Sequence, residues 1–313
     1  MRSISTLKLP LRDLSEFDGS KPGTGRRDSL QSQVRRALEE FGCFEALYDK
    51  MTSKLHNEVF QELEKLLELP TDVKRRFDVP DKPYFGYIAN LPRHEAFGVD
   101  YTPNSGSIEN LTDLMWLEGN TRFCETMNTY VTRVLELDSL VRKLVLGSLG
   151  VDKYLESLAK SVKYNFRLMR YPAPGTEESK KPGTMCHRDA NFVTILHQNH
   201  VNGLEVQTKD GHWIEVAPSP ASSFIVLTGE SFYGWSNGRL HSPCHRVMMS
   251  GHDPRYSIGL FSTDQGTVQC PEELVDEQHP LLFKPFDATG LSRIDKTKEG
   301  QNGASAMDTF YRI

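Results

Sequence analysis

An α+β fold is predicted, with helices gathered in the first half of the chain and a sandwich or barrel of short strands after residue 162. Two observations carry this. Apolar residues recur at helical spacing in three long segments before that point. Beyond it, short apolar runs alternate with turn formers, as in an antiparallel β protein.

Taken in order, residues 7–14 read as a short first strand, followed by a Gly/Pro/charged loop over 18–28. Leu30, Val34, Ala37, Leu38 and Phe41 form one helical stripe, with Ser29 placed to cap it and Gly42 to end it. A strand is expected over 43–47. A second helix over about 53–69 carries Leu55, Val59, Leu63, Leu66 and Leu67 on one face, and Pro70 stops it. The segment with Phe123, Met127, Tyr130, Val134, Leu137, Val141, Leu144 and Val145 reads as a long core helix that buttresses a sheet. Strands follow over 164–168, 193–197, 203–207, 213–216 and 224–227, with a hairpin turn at Lys209-Asp210-Gly211-His212. They continue to Phe261.

Bulk properties bound the partners. A chain of 313 residues with 38% hydrophobic content can bury a sizeable core, as one large domain or two small ones. A formal net charge of −5 offers no basic field to nucleic acid or to an anionic membrane surface, so a small molecule is the expected partner. The N-terminus lacks the apolar stretch of a secretory signal, and no apolar run reaches the ~20 residues that span a bilayer. The five cysteines are scattered, odd in number and free of any Cys-x-x-Cys pair, which predicts reduced thiols in the cytoplasm.

The chemistry concentrates between residues 185 and 257. In an extended Cys186-His187-Arg188-Asp189, His187 and Asp189 share a face and Arg188 points away. His245, in His241-Ser242-Pro243-Cys244-His245-Arg246-Val247, is the best third ligand for a divalent metal. Two imidazoles and one carboxylate leave the opposite positions of an iron open, as a non-haem Fe(II) oxygenase requires. Arg255 and Ser257 share a strand face and offer a guanidinium fork and a hydroxyl to one end of a dicarboxylate.

This array resembles the plant 2-oxoglutarate- and Fe(II)-dependent dioxygenases. Several flanking pieces agree: the run 237–247 around His245, Arg170-Tyr171-Pro172 before the first ligand, and Gly203-Leu204-Glu205-Val206 after it. Within that family, Leu114-Met115-Trp116-Leu117-Glu118-Gly119-Asn120, Leu196-His197-Gln198 and the segments 274–276 and 284–286 are similar to the branch of glucosinolate side-chain (AOP-type) dioxygenases and deoxypodophyllotoxin synthase. Tyr48-Asp49-Lys50 stands where other branches have Asn-His-Gly.

The resemblance covers nearly the whole chain and implies one domain over 1–313 with a double-stranded β-helix, or jelly-roll, core. An N-terminal α/β region would occupy about 1–120, the catalytic core about 160–265, and a C-terminal tail of about 285–313, helical in part, would cover the pocket. It implies Fe(II) held by His187, Asp189 and His245, and 2-oxoglutarate held by Arg255, Ser257 and Tyr171, with dioxygen as oxidant and ascorbate as a supporting reductant. Tyr171 survives from the family's Asn-Tyr-Tyr-Pro motif, whereas Met169 replaces the asparagine. Family placement puts Tyr87, Met115, Tyr233, Trp235 and Phe261 on the substrate wall, near the aromatic-glycine loop Tyr84-Phe85-Gly86-Tyr87. Their character favours a largely apolar, aromatic specialised metabolite, oxidised by hydroxylation, desaturation, dealkylation or ring closure in a monomeric enzyme.

Plainer readings stand beside these. Cys186 and Cys244 precede ligands but face away from the metal, as small buried residues would. His197 and His200 read as core or surface histidines, and His241 as a neighbour of the metal motif. A non-catalytic cupin-like binding protein, or an iron oxidase that does not use 2-oxoglutarate, would keep much of the same pattern.

Overall fold

The computed structural model describes residues 7–15, 17, 25–90, 93–217, 220–294 and 303–313. Strand β1 (Leu11–Asp13) lies parallel to β2 (Cys43–Leu47), and helix α1 (Gly25–Glu40) stands between them in the chain. The helix starts a turn before Ser29, whose hydroxyl accepts from the Gln33 amide at 3.0 Å instead of capping. Residues 18–24 of the expected loop lie outside the described residues. Gly42 does end the helix, at a φ of 69°, where a Cβ would collide with the His241 backbone.

Helix α2 (Ser53–Glu68) is capped by Thr52, whose hydroxyl accepts from the Leu55 N–H at 3.2 Å. The short α3 (Thr71–Lys74) leads into a hairpin of β3 (Gly86–Asn90) and β4 (His94–Tyr101). The sequence suggests only the aromatic-glycine loop over 84–87 here, because Glu95, Gly98 and Asp100 interrupt the strand signal; pairing with β5 decides the matter. Helix α4 (Ser107–Met115) precedes α5 (Thr121–Leu149), capped by Asn120 and closed by Gly150. All eight residues of the predicted α5 stripe are buried, each contributing about 1.5–3 kcal/mol.

A short helix, α6 (Leu155–Ser161), opens the β half: β5 (Val162–Tyr171), β6 (Thr176–His187), β7 (Val193–Gln198), β8 (Leu204–Gln207), β9 (Trp213–Glu215) and β10 (Ser223–Thr228). After the one-and-a-half-turn α7 (Glu230–Trp235) come β11 (His245–Gly251), β12 (Arg255–Asp264), the small pair β13 (Thr267–Val268) and β14 (Phe286–Asp287), and α8 (Ala288–Ile294). One sheet runs β1-β2-β10-β7-β12-β5-β4-β3 and the other β6-β11-β8-β9. These two sheets form the expected jelly roll, with α5 packed on the larger one.

Buried charges tie the helices to that sheet. Asp138 of α5 pairs with Arg142 at 3.0 Å and accepts from Tyr164 and Ser262, both at 3.1 Å. Glu95 of β4 accepts from Lys74 and Tyr87, both at 2.7 Å, and pairs with Arg170. Removing one partner of such a set costs about 3–5 kcal/mol, since a buried charge is left uncompensated.

His197 sits under α2 and α5. Its Nδ1 accepts from the Tyr130 hydroxyl at 3.2 Å, and its Nε2 faces the Ala221 carbonyl at 3.0 Å and His56 at 2.9 Å. Burial, then the neighbouring His56, push its imidazole down to about 3 from an ordinary 6.5. The unfolded chain therefore binds a proton that the folded chain refuses, and stability falls as pH drops through that window. His197→Phe is expected to be about 1–3 kcal/mol less stable near neutral pH through lost hydrogen bonds. It should also lose stability less steeply on acidification; equal slopes in urea unfolding would exclude His197 as the source.

Candidate active site

Strands β6 and β11 run antiparallel with His187 opposite His245, so both imidazoles stand on one face of the smaller sheet. Their ring centroids are 4.3 Å apart. Asp189 follows where the chain turns out of β6, with Oδ1 3.5 Å from His187 Nε2 and Oδ2 3.7 Å from His245 Nε2. Ligand atoms of the three lie within 4.8 Å of one another, the one such group of His, Cys, Asp or Glu among the described residues.

The surroundings suit a metal. His187 donates through Nδ1 to the Met185 carbonyl at 2.9 Å and His245 to that of Pro243 at 3.4 Å, which turns both Nε2 atoms toward Asp189. Burial, then His187, push His245 down to about 4, with Asp189 pulling the other way. Burial raises the Asp189 carboxyl, but His245, His187 and the Thr194 hydroxyl outweigh it and hold the group well below the carboxylate range. Thr194 donates to Asp189 Oδ2 at 2.6 Å and itself accepts from Asn191 at 3.1 Å. Two imidazoles and an ionised carboxylate are the donor set a divalent iron takes.

Arg255 is 1% exposed, on β12 opposite Tyr171 of β5. Its Nη2 donates to the Gln198 amide oxygen at 2.8 Å and its Nη1 to Ser257 Oγ at 3.3 Å, and its guanidinium carbon lies 5.1 Å from the Tyr171 ring centre. Its Nε is buried without a hydrogen-bond partner. Neutral partners leave a buried cation incomplete, so the far carboxylate of a keto-diacid fits this end of the site. A cavity of about 630 Å³ joins the two ends, lined by His187, His245, Arg255, Ser257 and Tyr171. A second, of about 550 Å³, is lined by His187 and Asp189 and shares Tyr84, Arg167, His187 and Phe261 with the first.

Of the five wall residues expected from the sequence, Phe261 lines both cavities. Tyr87 does not, because strand alternation sends it to Glu95 and turns Ile88 into the cavity. Met115 is buried in the helical core. Helix α7 carries the other two away: Tyr233 donates to Asp308 at 3.0 Å, and Trp235 packs on Phe232 and Phe192. Thr194, Gln198 and Arg167 went unnoticed; Gln198 stood in the branch-like Leu196-His197-Gln198 run, and only the strand pairing shows what it holds.

The reduced-thiol expectation fails for two of the five cysteines. Cys186 and Cys244, each preceding a ligand on the paired strands, form a disulfide on the face away from the metal cluster, with Cα atoms 6.0 Å apart. Cys43, Cys124 and Cys270 are free. The tail packs behind the cluster: Arg188 donates to the Gly303 carbonyl at 3.0 Å, and Glu230 accepts from the Ala306 and Met307 N–H groups at 2.7 and 3.2 Å. Among the described tail residues, Thr289 alone lines either cavity; residues 295–302 lie outside the described set.

A jelly roll that gathers these donors at one mouth and a buried arginine deeper in has the design of a non-haem iron oxygenase that consumes a keto-diacid. Known proteins agree. Residues 162–264 match the 2OG-Fe(II) oxygenase superfamily, and residues 9–102 match the non-haem dioxygenase in morphine synthesis N-terminal family. The chain is 40% identical to the probable 2-oxoglutarate-dependent dioxygenase AOP1.2 of Arabidopsis thaliana, covering 97% of this chain and 96% of that protein. It is 28% identical to the 2-oxoglutarate-dependent dioxygenase AOP2 of the same plant, covering 98% of each. The rice dioxygenase for auxin oxidation superposes with a TM-score of 0.81 at 29% identity, over 97% of this chain and all of that one. The chain therefore belongs to the 2-oxoglutarate- and Fe(II)-dependent dioxygenases, in company with the AOP-type proteins. It is an enzyme that uses Fe(II) and 2-oxoglutarate, which sets aside the reading as a mere binding protein.

Two outcomes check the site's construction. Thr194→Val should weaken Mn(II) binding roughly tenfold to a hundredfold by freeing the Asp189 carboxylate, with circular dichroism unchanged; undiminished binding would deny Thr194 that role. Alkylation of the denatured, unreduced protein should label three cysteines and spare the Cys186–Cys244 pair, whereas five labels would contradict the disulfide.

Proposed function

We propose that His187, Asp189 and His245 hold the iron and that Arg255, Ser257 and Tyr171 receive the far carboxylate of 2-oxoglutarate. The substrate is a largely apolar, aromatic plant specialised metabolite, oxidised by hydroxylation, desaturation or oxidative ring closure while 2-oxoglutarate is decarboxylated to succinate and carbon dioxide. The observation that carries this reading is the single cavity shared by the two imidazoles and the incomplete cation of Arg255.

Each side chain has a definable task. Arg255 grips a carboxylate and stays charged despite burial, since a guanidinium rarely gives up its proton. Gln198 and Ser257 keep its fork in plane. Asp189, held by Thr194, supplies the negative charge that balances a divalent ion. Iron bound here, with dioxygen and 2-oxoglutarate, supplies the oxidising power. Ile88, Leu196, Leu204, Val247 and Phe261 keep the cavity wall apolar, which limits water near the reacting centre. That the AOP relatives are proteins of Arabidopsis thaliana supports a place in plant metabolism.

Incubation with Fe(II), 2-oxoglutarate and a panel of plant aromatic metabolites should give succinate in step with products altered by one oxygen or two hydrogens. Product without succinate would instead favour an iron oxidase that takes all its electrons from the substrate. His245→Ala should abolish turnover, and Arg255→Lys should raise the KM for 2-oxoglutarate about tenfold or more by losing the bidentate grip. Retained activity in the first variant would overturn the assignment.

A further inference from the structure

The strand pair that carries the two imidazoles is least regular beside them. Strand β6 is an edge of the smaller sheet and ends at His187, opposite His245 at the start of β11. The next matched pairs are Val247 with Thr184 and Met248 with Pro182, and the register shifts before each of them. Pro182 has no N–H to give to the ladder. On its other side β11 is held without a slip, His245 against Val206, Arg246 against Glu205 and Val247 against Leu204. His245 is therefore anchored by β8, whereas His187 stands at the end of an irregular edge strand.

A covalent bond ties that edge to its neighbour. The Cys186–Cys244 cystine lies one residue before each imidazole, while Cys43, Cys124 and Cys270 stay thiols. A chain of 313 residues buries enough surface to fold without a staple, so the placement of this one beside the cluster calls for another reason. Gly303 of the tail lies against the bond: a Cβ there would stand 2.7 Å from Cys244 Sγ and 2.9 Å from Cys186 Sγ, and Arg188 donates to its carbonyl at 3.0 Å. Cys244 is buried, and its carbonyl accepts from the Gln207 N–H at 2.8 Å. Bonded sulfurs lie closer than non-bonded ones can approach, so cleavage pushes the two apart. With Cys244 held and Gly303 against both sulfurs, the edge strand is the side that yields. Cys186 moves, and His187, the next residue, moves with it.

We propose that this cystine is a redox switch on the metal centre: closed, it holds His187 against His245, and opened, it lowers the affinity of the cluster for a divalent ion. This rests on the reading of His187, Asp189 and His245 as the metal ligands. The reductant is a dithiol protein of the thioredoxin class. Its thiolate attacks Cys186 Sγ, the partly exposed member beside the exposed Met185, and the sulfur–sulfur bond breaks with Cys244 leaving as a thiolate that takes up a proton. The second thiol of the reductant then displaces Cys186 as a thiol. Two electrons and two protons pass to the cystine, and the dithiol ends as a disulfide.

The test uses the full chain stripped of metal, oxidised with glutathione disulfide or reduced with dithiothreitol, and freed of either reagent under argon. Alkylation should label three cysteines in the first state and all five in the second. By calorimetry, Mn(II) should bind the oxidised state tenfold or more tightly, with circular dichroism alike for both, and re-oxidation should restore the affinity. The double variant Cys186→Ala, Cys244→Ala should bind Mn(II) equally well after either treatment. A smaller difference between the wild-type states, a cystine that glutathione disulfide cannot form, or a double variant that still responds overturns the proposal. Should the double variant fail to fold, the two wild-type states decide. An oxidised chain that binds no Mn(II) would be a different result, and would overturn the reading of the metal site itself.

Discussion

The pairing of β6 with β11 is the constraint on which the rest depends. It sets His187 against His245 in register, and a slip of one residue would send one imidazole through the sheet to the far side. The same register explains the disulfide. Cys186 and Cys244 each stand one step before a ligand, so alternation carries both sulfurs to the opposite face, where they meet beneath Gly303. One strand pair thus presents a metal-binding face toward the cavity and a covalently tied face toward the tail.

That pair is the smaller sheet's contribution, and the larger sheet supplies the arginines and hydroxyls of the cavity wall. Arg255, Ser257 and Tyr171 come from β12 and β5, while Arg167 and Phe261 come from the same two strands further along. These side chains therefore share one rigid support, braced behind by the Asp138 and Arg142 pair of α5. Sites mounted on strands keep their geometry more closely than sites on loops, because the ladder fixes each Cα. Tyr84, the loop residue that faces Arg167, needs Gly98 and Asn165 to reach comparable definition.

Burial of charge recurs as a structural device. Glu95, Asp138 and Arg255 are all nearly inaccessible, yet they differ in completion. Glu95 and Asp138 are surrounded by cations and hydroxyls that belong to the chain itself. Arg255 has only neutral partners and a spare N–H. Arg142, Glu230 and Asp264 also keep buried polar atoms without a partner, so what sets Arg255 apart is that its hydrogen-bond partners are neutral and that it stands at the cavity.

The sequence by itself determined the three long helices, because their apolar periodicity is local: the stripes of α1, α2 and α5 all face the core. It also determined the chemistry of the site, since His187, Asp189 and His245 stand in short motifs whose residue types serve a divalent iron. The hairpin of β3 and β4 was not legible, because its strands carry charges and glycines whose meaning lies in their partners. Nor was the cavity wall. Tyr87 and Ile88 differ by one position, and only the pairing of β3 decides which of them turns inward. The cystine and the rings of Tyr84 and Phe261 against Arg167 likewise join residues far apart in the chain. Strand register and long-range packing, set by the whole fold rather than by any local run, decided these.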